Sequence, residues 1–230
     1  MSEIYYSGGY FLVEPTLVNK PYLNEQIYTI SNCLANLYPN DALLPGSKQE
    51  SEKKAIQNRI ALQDEDFNKM LLEISNQLGS GLIGWPNVFM NLLSAKQFKA
   101  KFLKHLQDVK IVGISIEKKI ANNLLQEELQ NSKPNQKYSG IVQILSNKIP
   151  LDKKGEFLGY DILGYEIMLF HSYVCNGLEK DIVEDLHIEL NEKGLINSYV
   201  DAKKVIDYIN HLDNVAEPAF WAPWRVDEYH

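Results

Sequence analysis

Val109-Lys-Ile-Val-Gly-Ile-Ser-Ile116 is the stretch on which the fold reading turns. It is rich in β-branched residues and too short for a buried helix, so it predicts a strand. Toward the N-terminus, three segments with helical spacing precede it. Leu23, Ile27, Ile30, Leu34 and Leu37 recur at that spacing, with Pro21 suited to a first turn and Pro39 just past the end, which predicts a helix over 21–37. A loop over 39–52, with Pro39, Pro45 and Gly46, follows. Asp64 as N-cap, then Phe67, Met70, Leu71, Ile74 and Leu78 before Gly79, predict a helix over 64–78. Pro86 opens a third helix over 86–106, with a capping box at Ser94 and Gln97.

Toward the C-terminus, a helix over 117–130 ends before the Lys133-Pro134 loop, and Ile141 to Leu145 reads as a strand. A polar connection over 146–156 leads to an extended stretch, Phe157 to Phe170. Within it Leu158-Gly-Tyr-Asp161 is echoed by Leu163-Gly-Tyr-Glu166, and the glycines permit a bulge or a close backbone approach. A helix over 171–191 ending at Gly194, a short strand over 195–199 and an amphipathic helix over 201–212 follow, before the extended aromatic tail Glu217 to Arg225. Residues 4–13 read as a strand or hairpin broken by Gly8-Gly9. Three helices ahead of the first good strand argue against regular βαβ alternation. The expected fold is therefore α+β: a helix-rich single domain over 1–230 with a small mixed or antiparallel sheet, and a softer division near 146–156.

Composition is that of a folded domain: 45% of the 230 residues are hydrophobic and 23% charged, enough to bury a core. The start, Met-Ser-Glu-Ile-Tyr-Tyr-Ser-Gly-Gly, lacks a basic region and a long apolar run, and no stretch approaches the roughly 18 apolar residues of a membrane span. A cytoplasmic protein without membrane association is expected. Cys33 and Cys175 make no disulfide framework and read as small core residues.

Charge is unevenly spread. Residues 1–154 carry 18 Lys/Arg against 15 Asp/Glu, a balance of +3, while residues 155–230 carry 5 against 15, a balance of −10. Such a field repels nucleic acid and attracts a basic protein partner. On the helix expected over 180–192, Asp181, Glu184, Asp185, Glu189 and Glu192 fall on one side, and Ile182, Val183, Leu186 and Leu190 on the other. A solvated face is the plain reading of that stripe; a surface for a basic partner is the sharper one. Phe220, Trp221 and Trp224 on the tail would add aromatic anchors to it, or would clasp the tail onto its own domain.

Gly79-Ser-Gly-Leu-Ile-Gly84 has the G-x-G-x-x-G spacing. It follows helical periodicity rather than a strand, and Lys104 stands where an acidic residue would be wanted, so a helix cap and loop explain it better. Cys175 and His171, four apart, could form a nucleophile and base oriented by Glu166 or Asp161. A helix-start histidine beside a core cysteine is the plainer reading. His105, His171, His187, His211 and His230 show no zinc spacing, so neither metal nor cofactor is expected. The group Lys96, Lys99, Lys101, Lys104 and Lys110 is interleaved with Phe98 and Phe102, as in nucleic-acid binders, but helical spacing turns those aromatics to the core.

Leu158 to Glu179 (LGYDILGYEIMLFHSYVCNGLE) and Glu217 to Tyr229 (EPAFWAPWRVDEY) resemble small bacterial immunity-type proteins, acidic intracellular proteins that neutralise a cognate toxin by binding it. The resemblance covers about the last third of the chain and implies a binding role, with no residue carried over by position. The function expected is thus a protein-binding module, an immunity protein in its concrete form. A cysteine-dependent hydrolase or transferase using Cys175 and His171, and an oligomeric scaffold, are the alternatives.

Overall fold

A computed structural model describes residues 4–31, 33–34, 50–84, 88–131, 140–166, 169–211 and 216–230. Its organising element is a seven-stranded sheet. In chain order the strands are β1 (Tyr5–Val13), β2 (Thr16–Leu17), β3 (Gln26–Ile27), β4 (Ile83–Gly84), β5 (Val88–Phe89), β6 (Lys110–Glu117), β7 (Glu156–Glu166), β8 (Leu169–Ser172) and β9 (Phe220–Tyr229). The large sheet runs β4-β5-β1-β6-β9-β7-β8, and β2 pairs with β3 apart from it. Every pairing among these strands is antiparallel. The helices are α1 (Glu50–Arg59), α2 (Asp64–Gly79), α3 (Leu92–Phe102), α4 (Lys118–Asn131), α5 (Ile141–Ser146) and α6 (Tyr199–His211).

The expectation of a helix-rich domain with a small sheet is thereby corrected. The aromatic tail is not a strap but β9, inserted between β6 and β7. Both faces of the sheet are covered, so β1 is buried along its whole length, and the period-2 alternation that betrays a half-exposed strand is absent. A proline in a central strand lacks a ladder N–H, and β9 carries one at Pro223. It is tolerated because the β6 ladder ends at Ser115↔Arg225, short of the position that lacks an N–H.

On one face Phe11, Val13, Val112, Ile114, Leu163, Tyr165, Trp224 and Val226 pack against Ala121 and Leu124 of α4 and the apolar residues of α5. The opposite face carries two clusters. Tyr10, Leu12, Ile111 and Tyr229 meet α2 through Phe67, Met70 and Ile74, and α3 through Phe98 and Phe102. Tyr160, Ile162 and Trp221 meet α6 through Ala202, Val205 and Ile209. Trp221 and Tyr229 share this face because β9 is unbroken and they are an even number of residues apart.

The helices expected over 64–78, 117–130 and 201–212 are α2, α4 and α6, and the strand over 109–116 is β6. Residues 4–13 supply one strand, β1, with a bulge between Ser7 and Gly9. The two glycines of the 158–166 echo have the roles expected of them. Gly159, at φ +144°, sits at the β7 bulge, and a Cβ at Gly164 would lie 2.8 Å from the Trp221 ring.

Other expectations fail for identifiable reasons. Of the helix over 21–37, the described residues 21–31 and 33–34 form turns and β3; Ile27 and Ile30 are buried from an irregular path rather than from a helix. Residues 35–37, and most of the loop over 39–52, lie outside the described residues. The third helix begins only at Leu92, because Asn91 caps it: its side chain accepts from Ser94 N at 2.9 Å. Ile141 to Leu145 is helical, all but Gln143 buried, which illustrates how a short apolar run fails to distinguish strand from helix. Residues 195–199 reduce to two isolated bridges at Ile196, to Tyr160 and to Leu190, before α6 begins at Tyr199.

Candidate functional site

The acidic segment leaves the sheet edge through a series of turns. Tyr173 N donates to Ile162 O at 3.1 Å, and Leu178 N to Tyr173 O at 3.1 Å. Buried Tyr173, Val174, Leu178 and Ile182 pin the segment down. A single π-type turn, Asp181–Asp185, follows, and His187 at φ 53° breaks it off. The helix expected over 171–191 is therefore replaced by β8, turns and this one turn. Its apolar residues are satisfied by tertiary packing, which overrides their helical spacing.

The acidic stripe is consequently reshaped. Glu184, Asp185, Glu189 and Glu192 are exposed, but Glu189 and Glu192 sit on the chain beyond the turn rather than along one helix. Asp181 is half-buried and accepts from the Tyr208 hydroxyl at 3.2 Å. The Tyr22 hydroxyl donates to Glu184, and Asn24 Nδ2 donates to Glu192 O at 2.9 Å, so residues 20–28 brace the segment from outside. Lys193 lies 2.6 Å from the Glu192 carboxylate and holds its pKa below the usual value. Among the described residues Asp185 and Glu189 form no ion pair. An open concavity of about 570 Å³ lies alongside, lined by Asn24, Glu25, Tyr28, Glu192 and Lys193 among others.

The aromatic residues do not join this rim. Trp224 is fully buried, edge-on to Phe170 at 5.3 Å between ring centres, Trp221 is 7% exposed with its indole N–H donated to Glu217 O, and Phe220 is half-buried. Trp221 and Trp224 belong to the core of their own domain through β9, and Phe220 packs against its margin, so the packing favours the reading in which these aromatics hold the tail onto its own domain.

Cys175 and His171 are not assembled as nucleophile and base. His171 Nδ1 lies 2.5 Å from Glu217 and Nε2 3.7 Å from Glu166, so both ring nitrogens face carboxylates. Cys175 Sγ meets the Ser31 hydroxyl at 3.2 Å instead, and burial pushes its thiol up to about 11. A thiol so disposed is a poor nucleophile near neutrality. Asp161, the other orienter considered, lies inside the core. The glycine pattern at 79–84 ends α2 and enters β4, with Gly81 at φ +72°, as a helix cap and loop do.

No family model, no curated protein and no solved structure matches the chain. Among the described residues no group of three His, Cys, Asp or Glu side chains could hold a metal ion, and no helix is long and apolar enough to cross a membrane.

Three features escaped the sequence reading. Asp161, 2% exposed, accepts from Thr29 Oγ1 at 3.2 Å through Oδ2, while among the described residues Oδ1 has no hydrogen-bond partner. A small cavity lined by Val13, Val112, Val226 and Ile30 adjoins it, and burial raises the carboxyl to about 7. On the other face Asp227, 1% exposed, takes two hydrogen bonds from Arg225, Nε at 2.9 Å and Nη2 at 2.7 Å, and the guanidinium lies over the Phe157 ring at 4.4 Å. The i,i+2 spacing of Arg225 and Asp227 against Trp224 and Val226 was a legible strand signal. The third feature is a cleft that collects Lys96, Lys99, Lys104 and Lys110.

Proposed function

We propose that this chain is a protein-binding module whose acidic rim, centred on Asp185 and Glu189 and flanked by Glu184 and Glu192, takes a basic protein partner. Neutralisation of a toxin, the role of an immunity protein, is the concrete form of this reading. The observation that carries it is the pair of exposed carboxylates, Asp185 and Glu189, without ion pairs among the described residues, in a part of the chain whose balance is −10. A partner's lysines and arginines would gain counter-charges at Asp185 and Glu189 without breaking an ion pair among the described residues, and the long-range field would speed encounter.

The test is co-expression with basic toxin domains encoded beside this chain's gene, read by complex formation and by protection of the host. Replacing Asp185 and Glu189 with lysine should slow association about tenfold or more in low salt, with the difference shrinking as salt is added. Equal rates for the variant and the parent would dismiss the rim as the binding surface. Absence of both complex and protection with every such domain would dismiss the neutralising role.

A further inference from the structure

The α3 helix and the turn after it present Lys96, Lys99 and Lys104 to one cleft of about 290 Å³, and Lys110 at the start of β6 faces the same space. Ala100 and Ile111 supply apolar lining, and Glu228, Tyr229 and His230 close the side formed by the end of β9. Glu228 is largely buried and lies 3.2 Å from Lys110, so its single charge is already matched. His230 Nδ1 lies 3.7 Å from the same Glu228 carboxylate. Among the described residues Lys96, Lys99 and Lys104 form no ion pair. Burial, and next the like charge of Lys110, hold the Lys99 ammonium below its usual pKa, against the opposing pull of the Glu228 carboxylate.

Three lysines without ion pairs among the described residues, around one concave site, stand out on a chain whose net charge is −7. We propose that this cleft binds a small, multiply charged phosphate anion: a condensed phosphate, either free or as the phosphate tail of a phosphorylated metabolite. Lysine ammoniums act as point charges that suit the several oxygens of such a group, whereas planar carboxylates favour the arginine fork. The volume is at the small end of the range for small-molecule sites. The end of β9, with Glu228, Tyr229 and His230, closes one side of the cleft, so the space suits a compact anion better than a long strand. The inference is independent of the acidic rim and stands or falls without it.

The experiment is calorimetric titration of the full chain with inorganic tripolyphosphate at low ionic strength. One site is expected, weakening as salt rises. The Lys99→Gln/Lys104→Gln variant should bind about tenfold less tightly, and Lys96→Gln, at an exposed helix position, should weaken binding without any change in folding. Lys101→Gln should leave affinity unchanged, because Lys101 is occupied by Glu73 at 2.6 Å. A parallel titration with a nucleoside triphosphate separates the sources. Tighter binding than tripolyphosphate assigns the site to a phosphorylated metabolite, and weaker binding assigns it to free condensed phosphate. The proposal is overturned if tripolyphosphate gives no binding, if the double variant and Lys96→Gln bind as the parent does, or if a single-stranded oligonucleotide outcompetes both phosphates at the same lysines.

Discussion

Two carboxylates lie in neighbouring strands and are equally withdrawn from water, yet their situations are opposite. Asp227 on β9 is gripped by Nε and Nη2 of Arg225, while Asp161 on β7 has, among the described residues, only neutral donors, the Thr29 hydroxyl and the Ile162 backbone N–H, and no cation. Burial is common to both, so it is the presence of a counter-charge that differs. Desolvation without a cation moves Asp161 to about 7, toward its neutral form. The same sheet thus accommodates one buried carboxylate by pairing it and another by shifting it toward its neutral form.

The hardest test of this contrast is to remove the cation. Arg225→Ala leaves Asp227 buried without its partner, and denaturant unfolding should show a loss of about 3–5 kcal/mol. A loss below about 1 kcal/mol would mean that water or a neighbour replaces the guanidinium and that the pairing is not what stabilises Asp227.

Asp161 makes a prediction of opposite sign. Its folded value of about 7 exceeds the ordinary 3.8, so the folded state holds the proton more tightly than the unfolded chain does. Stability should be greatest below about pH 4, fall between about pH 4 and pH 7, and level off above, by an amount of order a few kcal/mol. Asp161→Asn should remove that slope and raise stability at neutral pH. A parent protein whose unfolding free energy, corrected for other titrating groups, is flat from pH 4 to pH 7 would refute the neutral carboxyl.

The thiols extend the comparison to a group that is neutral to begin with. Cys33 is exposed, whereas Cys175 is partly buried against Ser31 with its thiol pushed up to about 11. Native-state alkylation at pH 7, read by mass spectrometry, should label Cys33 quickly and Cys175 only after unfolding. Rapid labelling of Cys175 would revive the hydrolase reading. The smallest effect is expected at the surface: replacing Asp185 and Glu189 with lysine should leave the denaturation midpoint nearly unchanged, because both are exposed and unpaired among the described residues. A clear drop would show that the acidic rim contributes to the fold and not only to binding.

The residues that could be read directly are those with a wet side. α2 shows Phe67, Met70 and Ile74 inward with its acids outward, and α6 does the same with Ala202, Val205 and Ile209, so their helical period survives in the sequence. The charge division between residues 1–154 and 155–230 was equally plain, as was β6 by its β-branched content. The place of β9 was not, nor the neighbours of His171, Cys175, Asp161 and the four cleft lysines. Pairing Trp224 with Asp161 or Arg225 with Ser115 joins segments far apart in the chain, and a strand buried on both faces carries no alternation to announce it. Local spacing determined the amphipathic helices because each needs only its own sequence and a nearby core. The sheet order, and with it the environment of every buried ionisable group, was decided by long-range contacts that no local pattern encodes.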